Sequence, residues 1–131
     1  MRIIVAGSRE GFTISSVERA MEAALKQWKW LPCDVTVVSG TARGVDTLGE
    51  QWAYERNLPV ERYPADWAQW GKSAGYRRNA QMAENADALV ALWDGESRGT
   101  GHMIAIAHAK GLPIYVHGPG KVAYELAYEK P

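Results

Sequence analysis

The sequence predicts an α/β fold: a doubly wound sandwich in which a parallel sheet of about five strands carries helices on both faces. Three observations predict it. Short apolar runs alternate with longer stretches of helical spacing in the order β-α-β-α-β-α-β-α-β. The runs are nearly continuous in Val, Ile, Leu and Ala, as strands covered on both faces are. Right-handed crossovers between parallel strands then leave few other topologies. A length of 131 residues, 47% hydrophobic and 23% charged, fits a single domain over residues 1–131 with a substantial core.

Arg2 to Ala6 ends at Gly7 and reads as the first buried strand. Ser15 and Glu18 have capping-box spacing, ahead of a helical stripe of Val17, Ala20, Met21, Ala24, Leu25 and Trp28. Pro32 separates that helix from a second strand over Asp34 to Ser39. Val45, Leu48, Trp52 and Ala53 mark the second helix, and "LPVERY" a shorter third strand. The longest connection, Pro64 to Ala74, leads to a helix around Arg77–Asn85 and a fourth strand at Asp87–Leu92. The next helix runs to about Lys110, with Gly111 as its stop, and "PIYVH" is the fifth strand. The tail "KVAYELAYEKP" is read as adding a last helical turn or two.

Composition narrows the function. Lys and Arg balance Asp and Glu at 15 each, so no global field recruits nucleic acid or an anionic membrane. The one cysteine, Cys33, excludes an internal disulfide and suits a reducing compartment. No apolar stretch approaches the roughly 20 residues of a membrane span, and the start lacks a secretion-signal layout. The expectation is a cytoplasmic protein.

In doubly wound sheets, ligands bind beyond the carboxyl ends of the strands, which directs attention to three loops. After the first strand, Gly7, Ser8 and Arg9 offer close backbone approach, a hydroxyl and a guanidinium fork, or simply a strand-ending turn. After the second, Gly40 and Gly44 bracket a helix start that includes Arg43, with Asp46 complementing the dipole in the first turn. The glycine spacing is not that of a dinucleotide fingerprint. After the fourth, Ser97, Gly99, Thr100 and Gly101 open another helix. Two helix starts at one sheet edge suggest an anion cradle, most simply for a nucleotide phosphate, against the alternative of tight packing turns.

The long connection crowds Tyr63, Trp67, Trp70 and Tyr76 beside Lys72, Arg77 and Arg78. Such a mixture suits a nucleotide or a single strand, or equally a Trp-rich loop folded over the sheet edge. "WGKS" is no P-loop, because Asp66 occupies the position of its first glycine, and "GPGK" lacks the following Ser or Thr. His102 and His108 do not share a helical face, and no paired-cysteine, HExxH or GxSxG motif occurs, so no metal and no serine nucleophile are expected. Trp30, Trp67 and Trp70 lie outside any periodic stripe, which raises the expectation of a homodimer with the site near its seam.

Taken in order, "GSR", "SGTARGVDTLGEQWA", "PADWAQWGKSAGYRRNAQM" and "GTGHMIAIAHAKGLPI" resemble the YspA-type branch of the YpsA-related SLOG family, Rossmann-like proteins of bacteria and their phages. The resemblance spans about Arg2 to His117. It implies a site for a nucleotide or nucleotide-derived ligand at the carboxyl edge of the sheet. Carried over by position, that site uses Gly7, Ser8 and Arg9, then Gly40, Arg43, Gly44 and Asp46. It continues through Arg78 and Asn79 and closes with Gly99, Thr100 and Gly101. Thr41 stands where relatives often carry a second glycine.

The wider superfamily includes the LOG enzymes, which cleave the N-glycosidic bond of nucleoside monophosphates with a glutamate two positions after Gly-Thr. Here His102 stands at that position. Asp94, Glu96 and Asp46 are candidate substitutes, though nothing in the spacing requires any of them. The superfamily also includes DprA, which binds single strands. Three readings follow. A module that holds or senses a nucleotide needs only the cradle and no cofactor, and is favoured. A LOG-like hydrolase would anchor phosphate at Gly99–Gly101 and Arg78, with Asp46 or Glu96 stabilising an oxocarbenium-like sugar. A single-strand binder would use Trp67, Trp70, Arg77 and Arg78, and zero net charge counts against it.

Overall fold

The computed structural model describes residues 1–118, so the expected tail helix and most of "GPGK" lie outside the described residues. The strands are β1 (Arg2–Gly7), β2 (Thr36–Ser39), β3 (Val60–Arg62), β4 (Ala88–Leu92) and β5 (Ile114–His117). All neighbours pair in parallel, in the order β3-β2-β1-β4-β5. β1 is central: Ile3 sits beside Val37 on one side and Ala88 on the other. The chain winds outward from β1 toward β3, then returns to β4 and winds the other way. The carboxyl ends of β1 and β4 are therefore where the two halves part and a crevice opens.

The helices are α1 (Ile14–Trp28), α2 (Val45–Glu55), α3 (Trp67–Trp70), α4 (Ala74–Glu84) and α5 (Arg98–Ala109). Side chains alternate across each strand, and the alternation divides the core in two. Ile3, Val5, Val37, Val90 and Leu92 pack with α1 and α2. Ile4, Ala6, Val38, Leu89 and Ala91 pack with Met82 and Ala83 of α4 and Met103, Ile104 and Ala107 of α5. The sheet is thus covered on both faces, as the continuous apolar runs require. No helix among the described residues is long and apolar enough to cross a membrane.

Four local expectations are corrected. The capping box of α1 is Thr13 with Ser16, not Ser15 with Glu18. Thr13 is extended (φ −125°, ψ 171°), and its Oγ1 accepts from Ser16 N while Ser16 Oγ accepts from Thr13 N. Ser15 is already helical, and Glu18 pairs instead with Arg56 at 3.3 Å. Second, Lys29 takes a left-handed conformation (φ 61°) that turns the chain back, so Trp30 N donates to Leu25 O. Trp30 packs half-buried against the core, 5.1 Å from the Trp28 ring, and is not a free surface ring.

Third, β2 begins at Thr36, because Pro32 starts a 3-10 turn over Pro32–Asp34. Fourth, the long connection is ordered as α3 and a second 3-10 turn (Gly71–Ser73), and α4 begins at Ala74, earlier than expected. Asp66 Oδ1 caps α3 by accepting from Gln69 N at 3.1 Å. The α5 stop is as expected: Gly111 has φ 75° and donates its N–H to His108 O.

Candidate functional site

The loop from β2 to α2 is shaped by a buried polar chain. Arg62 Nε donates to Glu50 Oε2 at 3.3 Å, and Ser39 Oγ donates to the same oxygen at 2.5 Å. Ser39 Oγ in turn accepts from Thr41 N at 3.1 Å. That bond holds Thr41 at φ 65°, a left-handed conformation costly for a β-branched residue and free for glycine. Glu50 was not legible as a site residue, since one glutamate in a helix reads as a solvated face. The available signal was its position four residues after Asp46, on the buried face of α2.

Gly44 follows at φ 87°, and a Cβ there would lie 2.5 Å from Arg9 Cα and 2.6 Å from the carbonyl oxygens of Ser8 and Arg9. The β1 and β2 loops therefore touch backbone to backbone, joined by Val45 N donating to Ser8 O at 3.2 Å. On the other side of β1, buried Ser8 Oγ accepts from Asp94 N at 3.1 Å. Asp94 Oδ1 accepts from the amides of Glu96 and Ser97 at 2.8 Å each, and these bonds hold its carboxyl below the usual range.

α5 begins immediately after this turn. Ser97 precedes its first residue but makes no capping bond; its Oγ lies 3.2 Å from Thr100 Oγ1. The first turn carries no acidic residue. The amides of Arg98, Gly99 and Thr100 have no partner within the helix, and the space beyond Gly99 is open for at least 4 Å from a Cβ position. α4 is locked against this end by Asn79, whose Nδ2 donates to Gly99 O at 3.2 Å.

Arg78 precedes Asn79, and its guanidinium crosses to donate from Nη1 to the Gly40 carbonyl. Its Nε donates to Asn79 Oδ1 at 3.1 Å. A Cβ on Gly40 would lie 2.8 Å from both Arg78 Nη1 and Asp46 Oδ2, so only glycine leaves the two charges room to flank this strand end. Asp46 is buried in the first turn of α2. Burial pushes its carboxyl up to about 6, against the N–H bond from Ala42 (3.1 Å) and the charge of Arg78.

These elements enclose a cleft of about 940 Å³. Of the residues expected from the sequence, Gly7, Arg9, Gly40, Arg43, Asp46, Arg78, Asn79, Gly99 and Thr100 line it. Ser8, Gly44, Gly101 and Glu96 are not among the lining residues. Ser8 and Gly44 lie behind the wall and join the loops, and a Cβ on Gly101 would meet the Trp93 ring at 3.2 Å. Glu96 is exposed. The wall also contains Thr41, Trp67, Lys72, Gly75 and Tyr76, whose contribution the loop-by-loop reading left undecided or missed.

Among the described residues, Arg9, Arg43, Lys72 and Arg78 bring four cations to the lining against the single carboxylate of Asp46. The arrangement is chemically fitted to an anion. Among the described residues, no three His, Cys, Asp or Glu side chains converge as metal ligands. His102 does not line the cleft; its ring packs against Tyr76 at 4.3 Å, and its Nδ1 lies 3.1 Å from Asn79 Nδ2. Burial lowers its pKa.

The Gene 61 protein of Mycobacterium phage D29 is 33% identical to this chain over 123 residues, an alignment covering 89% of this chain and 96% of that protein. A model of the YspA, cpYpsA-related SLOG family matches residues 1–70, which carry β1, the loop into α2, the Ser39–Glu50–Arg62 chain and Trp67. With that match over more than half its length and a relative this similar across nearly all of it, the chain belongs to the YspA, cpYpsA-related SLOG family.

Proposed function

We propose that this protein binds a nucleotide or nucleotide-derived ligand in the cleft, with a phosphate at the first turn of α5. One observation carries the reading: among the described residues, the α5 terminus shares a cleft with four cations and one carboxylate. The first-turn amides, which have no partner within the helix, and the positive end of the helix dipole favour an anion there. Arg78, half-buried and anchored to Gly40, supplies a fixed charge beside it. Family membership supports a nucleotide-related ligand.

The test is native mass spectrometry and titration calorimetry with nucleoside monophosphates and diphosphates. Binding that weakens as salt rises and is lost in Arg78→Ala is expected. No binding by any member of the series overturns the reading.

A second reading, LOG-like hydrolysis of a nucleotide N-glycosidic bond, draws on Asp46. It is a buried carboxylate in the cleft wall, and an ionised carboxylate stabilises an oxocarbenium-like sugar. Release of free base during the same incubations, abolished in Asp46→Asn, would put this reading first. Association of two copies is also proposed, resting on exposed Trp70 and Leu31 now that Trp30 is accounted for by the core. A monomer mass in light scattering at micromolar concentration would remove it.

A further inference from the structure

We propose that Trp67 and Tyr76 form a stacking wall for an aromatic base, so that the cleft selects a nucleoside phosphate over a bare sugar phosphate. The inference rests on the anion-binding reading above and adds the part of the ligand that reading leaves open.

Both rings line the cleft, yet Trp67 is 56% and Tyr76 47% exposed, and neither belongs to either half of the core. Apolar surface of this size is left uncovered at a cost unless something covers it. Each ring is held in place from one side. The six-membered ring of Trp67 lies over Gly75, with Cη2 3.4 Å from where a Cβ would be, and Arg78 Nη2 lies 3.8 Å from the same point. Its helix is fixed by the Asp66 cap.

Tyr76 is braced by the His102 ring at 4.3 Å, and His102 is held through Nδ1 by Asn79 Nδ2. A ring already fixed loses little freedom when a base stacks on it. Trp70 differs: Arg77 already sits over its ring at 3.8 Å, and it does not line the cleft. The aromatic rings come from α3 and α4, while the open amides come from α5. Phosphate and base therefore meet different elements of one cleft. A volume of about 940 Å³ leaves room for both.

The experiment titrates AMP, GMP, CMP, UMP, ribose 5-phosphate and inorganic phosphate into the full chain and into Trp67→Ala, Tyr76→Ala, Tyr76→Phe and His102→Ala. Base stacking predicts that at least one nucleoside monophosphate binds about tenfold or more tighter than ribose 5-phosphate. Trp67→Ala and Tyr76→Ala each close most of that gap while leaving ribose 5-phosphate within about twofold of the parent. Tyr76→Phe keeps the gap, and His102→Ala narrows it. Both rings are exposed, and unchanged melting temperatures will show that the variants fold. Equal binding of ribose 5-phosphate and the monophosphates overturns the stacking wall but leaves the phosphate site standing. Absence of binding by every probe overturns both.

Discussion

Ser39 on β2 donates its hydroxyl proton to Glu50 on α2 at 2.5 Å, and the same hydroxyl accepts the N–H of Thr41. A buried carboxylate thereby sets the backbone of a cleft loop it does not itself line. Removing it in Glu50→Ala leaves the buried hydroxyl proton and part of Arg62 without an acceptor. An unsatisfied buried donor costs about 1–3 kcal/mol. Glu50→Gln keeps an acceptor and should cost less. Urea midpoints check the order parent, Gln, Ala; equal midpoints for parent and Ala would show that the chain contributes nothing.

Thr41 holds a left-handed conformation at φ 65°. For a residue with a Cβ this costs roughly 1–2 kcal/mol, while glycine adds roughly 0.5–1 kcal/mol of backbone freedom to the unfolded chain. Thr41→Gly is therefore expected to stabilise the fold by up to about 1.5 kcal/mol. Thr41→Ala keeps the strain and should not gain. Thermal unfolding of the three proteins decides; a destabilised glycine variant would mean that the threonine side chain makes a contact stronger than the strain.

Asp46 gives stability a pH dependence of its own. Its folded-state pKa is raised from the ordinary carboxylate value of 3.8 to about 6, chiefly by burial. A group raised on folding contributes stability that is fully present below its unfolded pKa and is lost as pH rises through its folded pKa. The window runs from about 4 to about 6. Asp46→Asn cannot ionise and keeps an acceptor for Ala42 N–H. It should gain on the parent as pH rises across that window, by about 2–3 kcal/mol at its upper side. Melting temperatures of both proteins from pH 4 to 8 test this, and a constant difference across the range would exclude it.

The fold was legible because its inner strands β1, β2 and β4 are buried on both faces and therefore nearly continuous in sequence. The outline of the candidate site was legible because the topology sends the β1, β2 and β4 loops to one edge. What stayed hidden depends on what lies opposite a residue. Gly7, Gly44 and Gly101 carry the same residue type, but a Cβ on Gly7 would collide with Leu92 O, one on Gly44 would meet the β1 loop, and one on Gly101 the Trp93 ring. Glycine in a loop signals close approach without naming the partner. Trp30 was hidden for a different reason: its burial follows from the left-handed turn at Lys29, which no periodicity reports.

Gly44 and Gly71 separate these two meanings of glycine by experiment. Both have positive φ, 87° and 56°, with ψ of −130° and −133°, where a side chain is strained by about 1–3 kcal/mol. Around Gly71 nothing lies within 4 Å of a Cβ position, whereas at Gly44 the Arg9 backbone lies at 2.5 Å. Gly71→Ala should therefore cost the backbone term alone. Gly44→Ala must also push the β1 loop away and should cost at least about 1 kcal/mol more. If Gly44 served the ligand alone, its alanine variant would match Gly71→Ala in stability and differ only in binding. Chemical denaturation of both variants, read beside the AMP titration, tells packing from contact: the inter-loop role requires that Gly44→Ala lose more stability than Gly71→Ala in the absence of any ligand.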